Sequence, residues 1–255
     1  PSPKTIHICY CYSPTRYLWD QARSRSFLHY FRIWDRQAAE RVDRFIACSK
    51  TVQQRIKKYY KKDSVVIYPP VEISRLRQGF GGQAKLKKEF YLIVSQLRKY
   101  KRIDLAIDAF NKLGLELVII GEGPERKKLQ RKAKKNIKFL GWQPEEVVKK
   151  YYKNCTAFIF PGEDDFGIAP VEAMSWGKSI LAYRRGGVTE TIVEGKTGEF
   201  FDWQHPAVLA VGIRRLRQNL PKYDPEIIRK QADKFSQERF EKEFIKLIER
   251  VATSP

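Results

Sequence analysis

Long hydrophobic runs are missing from this 255-residue chain: "YLIVS", "LELVII" and "TAFIF" are five or six residues each, far short of the roughly 20 that cross a bilayer. Cysteine is scarce, four in all (Cys9, Cys11, Cys48 and Cys155). Each sits on or beside an apolar strand-like run, where buried free thiols are the usual occupants, and a chain of this size needs no disulfide staples. The expectation is a soluble body in a reducing cytoplasm. There are only three histidines. His7, Cys9 and Cys11 alternate along one strand face with no fourth ligand near them in sequence, so they read as the inward face of a strand rather than a zinc site. No charged, apolar, small-residue signal segment opens the chain; Pro1 leads straight into strand-like sequence, and the start reads as a cut.

Acidic residues are also in short supply, 29 against 50 Lys and Arg, for a formal charge of +21. Such a field attracts phosphates, whether of nucleic acid, anionic lipid or nucleotide sugars, and its sign alone does not choose among them. The densest basic tract, "RKKLQRKAKK" (126–135), reads as a solvated helix whose Leu129 and Ala133 fall four apart on one face. It carries no recognised nucleic-acid signature, which argues against a nucleic-acid partner.

What is present suffices for a core: 42% of residues are hydrophobic, and the length suits one large domain or two modest ones. Strand-like and helix-like segments alternate from "TIHICYCYS" through "FLHYFRIWDRQAAERVD", "RFIACS" and "KTVQQRIKKYY" to "SVVIYPP", with Ser49 a natural cap for the helix after it. Pro69-Pro70 stops helix and ladder alike. Residues 71–90, with "GFGG", have no sustained period and read as a linker. From Tyr91 the alternation resumes and runs to about residue 222, and residues 223–255 read as helices packing across the two domains. Repeated strand-helix alternation means parallel sheets with right-handed crossovers, an α/β class whose ligands bind beyond the carboxyl ends of the strands.

That rule singles out "PGEDDFGIAPVEAMSWGK" (161–178), which follows the strand "TAFIF". A helix beginning near Ile168, with Pro170 tolerated in its first turn, leaves the amides of Gly167, Ile168 and Ala169 without intrahelical partners, a setting suited to a phosphate oxygen. Gly167 permits close approach, and Phe166 can pack beneath the loop. Glu172 on that helix could accept hydrogen bonds from two vicinal ribose hydroxyls, and Asp164 stands eight residues before it on the loop. "SQLRKYKRID" (95–104) supplies Arg98, Lys101 and Arg102 at another strand end, while "GEGP" (121–124) and "RRGGVTE" (184–190) are further strand-end turns.

The series "FIACSKTVQQRIKKYY", "VIYPPVE", "YKRIDLAIDAFNKLG", "IIGEGPE", "FLGW", "FPGEDDFGIAPVEAMSWG" and "GGVTETIVEGKTG" resembles the family-4 glycosyltransferases of the GT-B fold, particularly bacterial mannosyltransferases of surface-polysaccharide assembly. The resemblance covers most of the chain except residues 74–88. It implies two Rossmann-like domains, the N-terminal one only partly present. It further implies transfer of a sugar, with GDP-mannose the expected donor, to a saccharide or lipid-linked acceptor with retained configuration and no cofactor or obligatory metal. Peripheral contact with an anionic membrane and no nucleic-acid partner complete the expectation. By the same resemblance Asp164 and Glu172 are the catalytic-site acids, and Glu172 holds the ribose. Lys101 faces the diphosphate, with either Arg98 substituting for its usual basic partner or donor affinity reduced; Phe166, Gly167, Ile168 and Ala169 form the donor loop, and Tyr12 and Arg16 lie on the acceptor side. Three positions depart from the family pattern: Gln96 where an Arg is usual, Asp164 where Glu is usual, and Tyr12 where a His is common. A non-catalytic nucleotide-sugar binder, a truncated or degenerate copy, is the alternative that Gln96 and Tyr12 motivate.

Overall fold

The computed structural model describes residues 5–19, 28–73 and 89–253, so the "GFGG" linker expected within 71–90 lies largely outside the described residues. The chain forms two compact units, residues 1–70 with 238–255 and residues 71–237.

In the first unit β1 (Ile8–Cys11), α1 (Arg16–Trp19), α2 (Leu28–Glu40), β2 (Arg44–Ala47), α3 (Lys50–Tyr60) and β3 (Ser64–Val66) follow in order. The sheet order is β1-β2-β3, all parallel. Phe45, Ile46 and Ala47 of the central strand are buried, as are Val52, Ile56 and Tyr60 of α3, four apart along one stripe. The Ser49 hydroxyl accepts from the Val52 amide at 3.1 Å and caps α3 as the sequence predicts. Because Ser49 is wholly buried, Ser49→Ala is expected to destabilise this unit by about 1 kcal/mol; an unchanged denaturant midpoint would contradict the cap. His7 corrects the sequence reading. The strand begins only at Ile8, so alternation does not reach His7, which is exposed and joined to Asp43 and the Arg41 carbonyl. Cys9 is half-buried and Cys11 buried, and all four cysteines are free thiols.

The second unit contains β4 (Tyr91–Val94), α4 (Ile103–Leu113), β5 (Leu117–Ile120), α5 (Arg126–Lys132), β6 (Ile137–Gly141), α6 (Glu145–Asn154), β7 (Ala157–Phe160), α7 (Ile168–Ser175), β8 (Ile180–Tyr183), α8 (Val188–Thr191), β9 (Gly198–Phe201), α9 (Pro206–Asn219) and α10 (Pro225–Asp233). The sheet order is β6-β5-β4-β7-β8-β9, every pair parallel. Strands β5, β7 and β9 are buried along their whole length, as a sheet covered on both faces requires. Successive strands run outward one way from β4 and the other way from β7, so the winding reverses between these two neighbours. That reversal opens a crevice beyond their carboxyl ends.

One expectation needs adjustment. The basic tract is helical only to Lys132; Ala133 is extended, and the next residues turn so that Ile137 can enter β6 beside Leu117. Leu129 is therefore the only buried residue of that helix. The C-terminal residues divide between the two units. Helix α10 packs on α7 within the second unit, with Ile228 and Phe235 buried. Helix α11 (Gln237–Thr253) belongs from Glu238 onward to the first unit, where Phe240 meets Tyr10 edge-on at 5.7 Å and Arg239 donates to the Tyr68 carbonyl. Among the described residues no helix is long and apolar enough to cross a membrane.

Candidate functional site

The loops that leave β4 and β7 face each other across the winding reversal. After β4 the chain makes a single 3-10 turn, Lys99–Lys101, and Arg102 adopts a left-handed conformation before α4 begins. After β7 the backbone at Gly162 passes so close to Lys101 that an added Cβ would lie 2.7 Å from the lysine Cα. This approach seats the lysine against the acidic loop: its Nζ lies 2.5 Å from Asp164 Oδ2, both side chains being more than four-fifths buried (16% and 18% exposed). Sixty-three residues of sequence separate the pair.

The other two predicted cations take different places. Arg98 donates to the Gln96 side-chain oxygen at 3.2 Å on the exposed rim. Arg102 is drawn away to Asp104 and to the Gln204 side chain after β9, and Gln204 in turn donates to the Pro161 carbonyl. Lys101 is thus the cation of "RKYKR" that meets the acidic loop, and Arg102 braces the loop from behind.

Helix α7 starts at Ile168, where the sequence places it, and Gly167 in the cap position has φ 91°, a conformation that favours glycine. Phe166 is buried beneath the loop and meets Phe235 edge-on at 5.5 Å. It supports the loop and is not itself a contact surface. Ile168, Ala169 and Glu172 share one helix face, three and four residues apart; Ile168 is exposed and Ala169 half-buried, while Val171, Ala173, Met174 and Ser175 face the core. The glycines of "RRGG" press on the same loop from the β8 side. Gly187 donates its amide to the Asp164 carbonyl at 2.9 Å, and an added Cβ there would meet the Asp165 carbonyl oxygen at 2.3 Å.

Glu172 lies deeper than a position on the rim. The buried Tyr152 hydroxyl of α6 donates to Glu172 Oε2 at 2.8 Å. Burial raises the Glu172 pKa above the ordinary carboxylate value. The Tyr152 hydrogen bond and Lys149 act against that rise, and Glu145 and Glu72 add to it. Lys149 itself bridges Glu145 and Glu72.

On the other side of β4 lies an open cavity of about 590 Å³ whose lining includes Ser95, Gln96, Arg98, Gly121, Glu122 and Trp142. The "GEGP" turn forms one wall, tied to the β4 loop by Leu97 N–H to the Glu122 carbonyl (2.8 Å) and Glu125 N–H to the Leu97 carbonyl (3.0 Å). Trp142 is 72% exposed. Sequence reasoning missed Tyr152, Gln204 and Trp142 as site residues. "FLGW" following a strand was the available signal for Trp142, whereas nothing local marks the distant partners of Tyr152 or Gln204. Tyr12, an exposed residue just after β1, and Arg16, which opens α1, belong to the first unit, and the residues expected on the donor side to the second. Among the described residues no three His, Cys, Asp or Glu side chains gather as metal ligands.

Comparison with known proteins gives a consistent family. The chain is 27% identical over 194 residues to an uncharacterized glycosyltransferase, MJ1178, of Methanocaldococcus jannaschii, covering 74% of this chain and 53% of that protein. It is 27% identical over 222 residues to the D-rhamnosyltransferase WbpZ of Pseudomonas aeruginosa, covering 80% of this chain and 58% of that one. The chain therefore spans little more than half the length of these relatives. In fold it superposes on Anabaena Alr3699/HepE, solved with UDP and glucose, with a TM-score of 0.77 at 20% identity, covering 95% of this chain and 71% of that one. It superposes likewise on sucrose-phosphate synthase of Thermosynechococcus elongatus, with a TM-score of 0.79 at 18% identity over 97% and 68% of the two chains. Residues 3–75 match the family described as Glycosyltransferase Family 4. Residues 75–235, more than half the chain and nearly all of the second unit, match Glycosyl transferases group 1, and with its GT-B architecture of parallel α/β units the chain belongs to that glycosyltransferase family.

Proposed function

We propose that the second unit is the donor half of a retaining glycosyltransferase that takes mannose from GDP-mannose. It would pass the sugar to a saccharide or lipid-linked saccharide in polysaccharide synthesis, without a metal or cofactor. The observation that carries this reading is the buried Lys101–Asp164 pair beside the start of α7, with Glu172 on the next turn. Lys101 and the α7 terminus, whose first amides have no intrahelical partners, would hold the diphosphate and stabilise the departing nucleoside diphosphate as the glycosidic bond breaks. Glu172 would hold the ribose, and the cavity beside "GEGP" would take the base. Asp164 would face the donor sugar. Tyr12 and Arg16 are assigned to the acceptor side by resemblance. The net charge of +21 would favour an anionic membrane surface, where lipid-linked acceptors reside.

Support for mannose comes from a 32% identity over 139 residues to the alpha-1,3/1,6-mannosyltransferase ALG2 of Dictyostelium discoideum, which covers 44% of this chain. Because HepE was solved with UDP-glucose, the deciding experiment is calorimetric titration with GDP, UDP, GDP-mannose and UDP-glucose, followed by a transfer assay. Binding of GDP-mannose tighter than UDP-glucose, with turnover, is the expected result. Preference for UDP-glucose would replace the donor, and failure of every nucleotide to bind would remove the whole reading. Gln96, engaged by Arg98, favours a second reading in which the protein binds donor without transfer; tight binding with no turnover by the full-length enzyme would establish it.

A further inference from the structure

We propose that Tyr152 is a positioning residue for Glu172, its hydroxyl fixing the plane of the carboxylate so that the remaining acceptor positions meet the two vicinal hydroxyls of the donor ribose. The inference rests on the reading of Glu172 as the ribose acid. Its basis is geometric. Tyr152 is 2% exposed, with its ring wedged near Phe158 at 5.8 Å, so the hydroxyl cannot swing away. It reaches Oε2 at 2.8 Å from a different helix, α6, which packs along α7. A glutamate on a helix has three rotatable bonds, and a rigid phenol donor removes that freedom before ligand arrives. One carboxylate oxygen offers about two acceptor sites. With Tyr152 on Oε2, Oε1 and the second lone pair of Oε2 stay available.

The surroundings give the arrangement a pH signature. Helix α6 turns Tyr152, Glu145 and Lys149 towards Glu172, and Glu72 joins them through Lys149. The strands against α7, β7 and β8, contribute only Tyr183 as a titratable group. Of α10, Arg229 lies at Gly177, beyond the far end of α7. Burial holds the Glu172 pKa above its ordinary value, and the Tyr152 hydrogen bond partly offsets this. Ionised Glu172 is the better hydrogen-bond acceptor, so affinity for the nucleotide falls as pH drops through that raised pKa. Removing the phenol oxygen raises the pKa further and moves the fall to higher pH.

The test compares wild type, Tyr152→Phe, Glu172→Gln and the double variant, titrated calorimetrically with GDP and with 2′-deoxy-GDP across the acid range, alongside thermal melts. Tyr152→Phe is expected to weaken GDP binding about tenfold, in line with one lost hydrogen bond to a charged group. It should also erode the preference for ribose over deoxyribose and shift the acid limb to higher pH, and it should add nothing once Glu172→Gln is present. Should Tyr152→Phe not fold, Tyr152→Met, which also removes the hydroxyl and whose flexible side chain fills irregular gaps, carries the same expectation for the ribose preference. Wild-type ribose preference and an unmoved acid limb in the variant, whatever its melting temperature, overturn the positioning role while Glu172→Gln still weakens GDP. If Glu172→Gln binds GDP and its deoxy form as wild type does, the ribose reading itself fails and the inference with it.

Discussion

Lys101→Ala is expected to abolish detectable transfer and to weaken nucleoside-diphosphate binding by at least about 100-fold, or roughly 2.7 kcal/mol. Two losses combine. The first is the cation that would face the diphosphate. The second arises because Lys101 Nζ and Asp164 Oδ2 are 2.5 Å apart in a mostly buried site. Taking away the lysine leaves a carboxylate, now unneutralised, where on the proposed reading two phosphate charges would enter. A charge pair about 4 Å apart at an effective dielectric near 20 is worth about 4 kcal/mol, so the repulsion alone is of the right size. Asp164→Asn makes the expectation sharper because its sign is opposite for binding. The amide no longer competes for Lys101, so GDP should bind as tightly as in wild type or more tightly, while transfer falls because the acid assigned to the donor sugar is gone. Titration of both variants with GDP, paired with a transfer assay, decides the matter. Equal loss of binding in the two would mean that the pair supports the fold and does not face the donor.

The contrast between Lys101 and Arg102 shows where a sequence stops being readable. Alternation of strand and helix is local, so the parallel α/β architecture, the bounds of α3 and the start of α7 at Ile168 could all be placed from residues within a turn or two of each other. The "RKYKR" run, by contrast, offers several equivalent cations. Which of them meets Asp164 depends on a left-handed turn at Arg102 and on Gly162 passing against the Lys101 backbone. Arg102 instead reaches Gln204, 102 residues away. No periodicity encodes that distance. The same holds for Tyr152, since nothing in "KKYYKN" says that its hydroxyl ends on Glu172. His7 failed for another reason: its carbonyl still accepts from the Asp43 and Arg44 amides, but the side chain stands exposed at the start of the strand, where alternation no longer means burial.

Gly187→Ala is expected to cost far more activity than stability. The added methyl would lie 2.3 Å from the Asp165 carbonyl oxygen and 2.4 Å from the Phe166 Cα, and both are backbone atoms that no side-chain rotation can clear. The relief must come from displacement of the segment that carries Asp164 and Gly167. Overpacking of this kind destabilises by about 1–3 kcal/mol, while misplacing reacting groups by about 1 Å costs on the order of 100-fold in rate. Gly195→Ala is the matched control. Gly195 has φ 75° but open space around its missing Cβ, so alanine there meets only the backbone penalty of about 1–2 kcal/mol. Its turn, between α8 and β9, meets the site loops only through the exposed Glu194–Arg184 ion pair at the start of "RRGG", which alanine at 195 leaves in place. Comparable falls in melting temperature with turnover lost in Gly187→Ala and kept in Gly195→Ala would show that the β8 loop sets the position of the acidic loop. If both variants lose activity in proportion to stability, "RRGG" is packing alone, and the placement of Asp164 must be traced to Lys101 and Gly162.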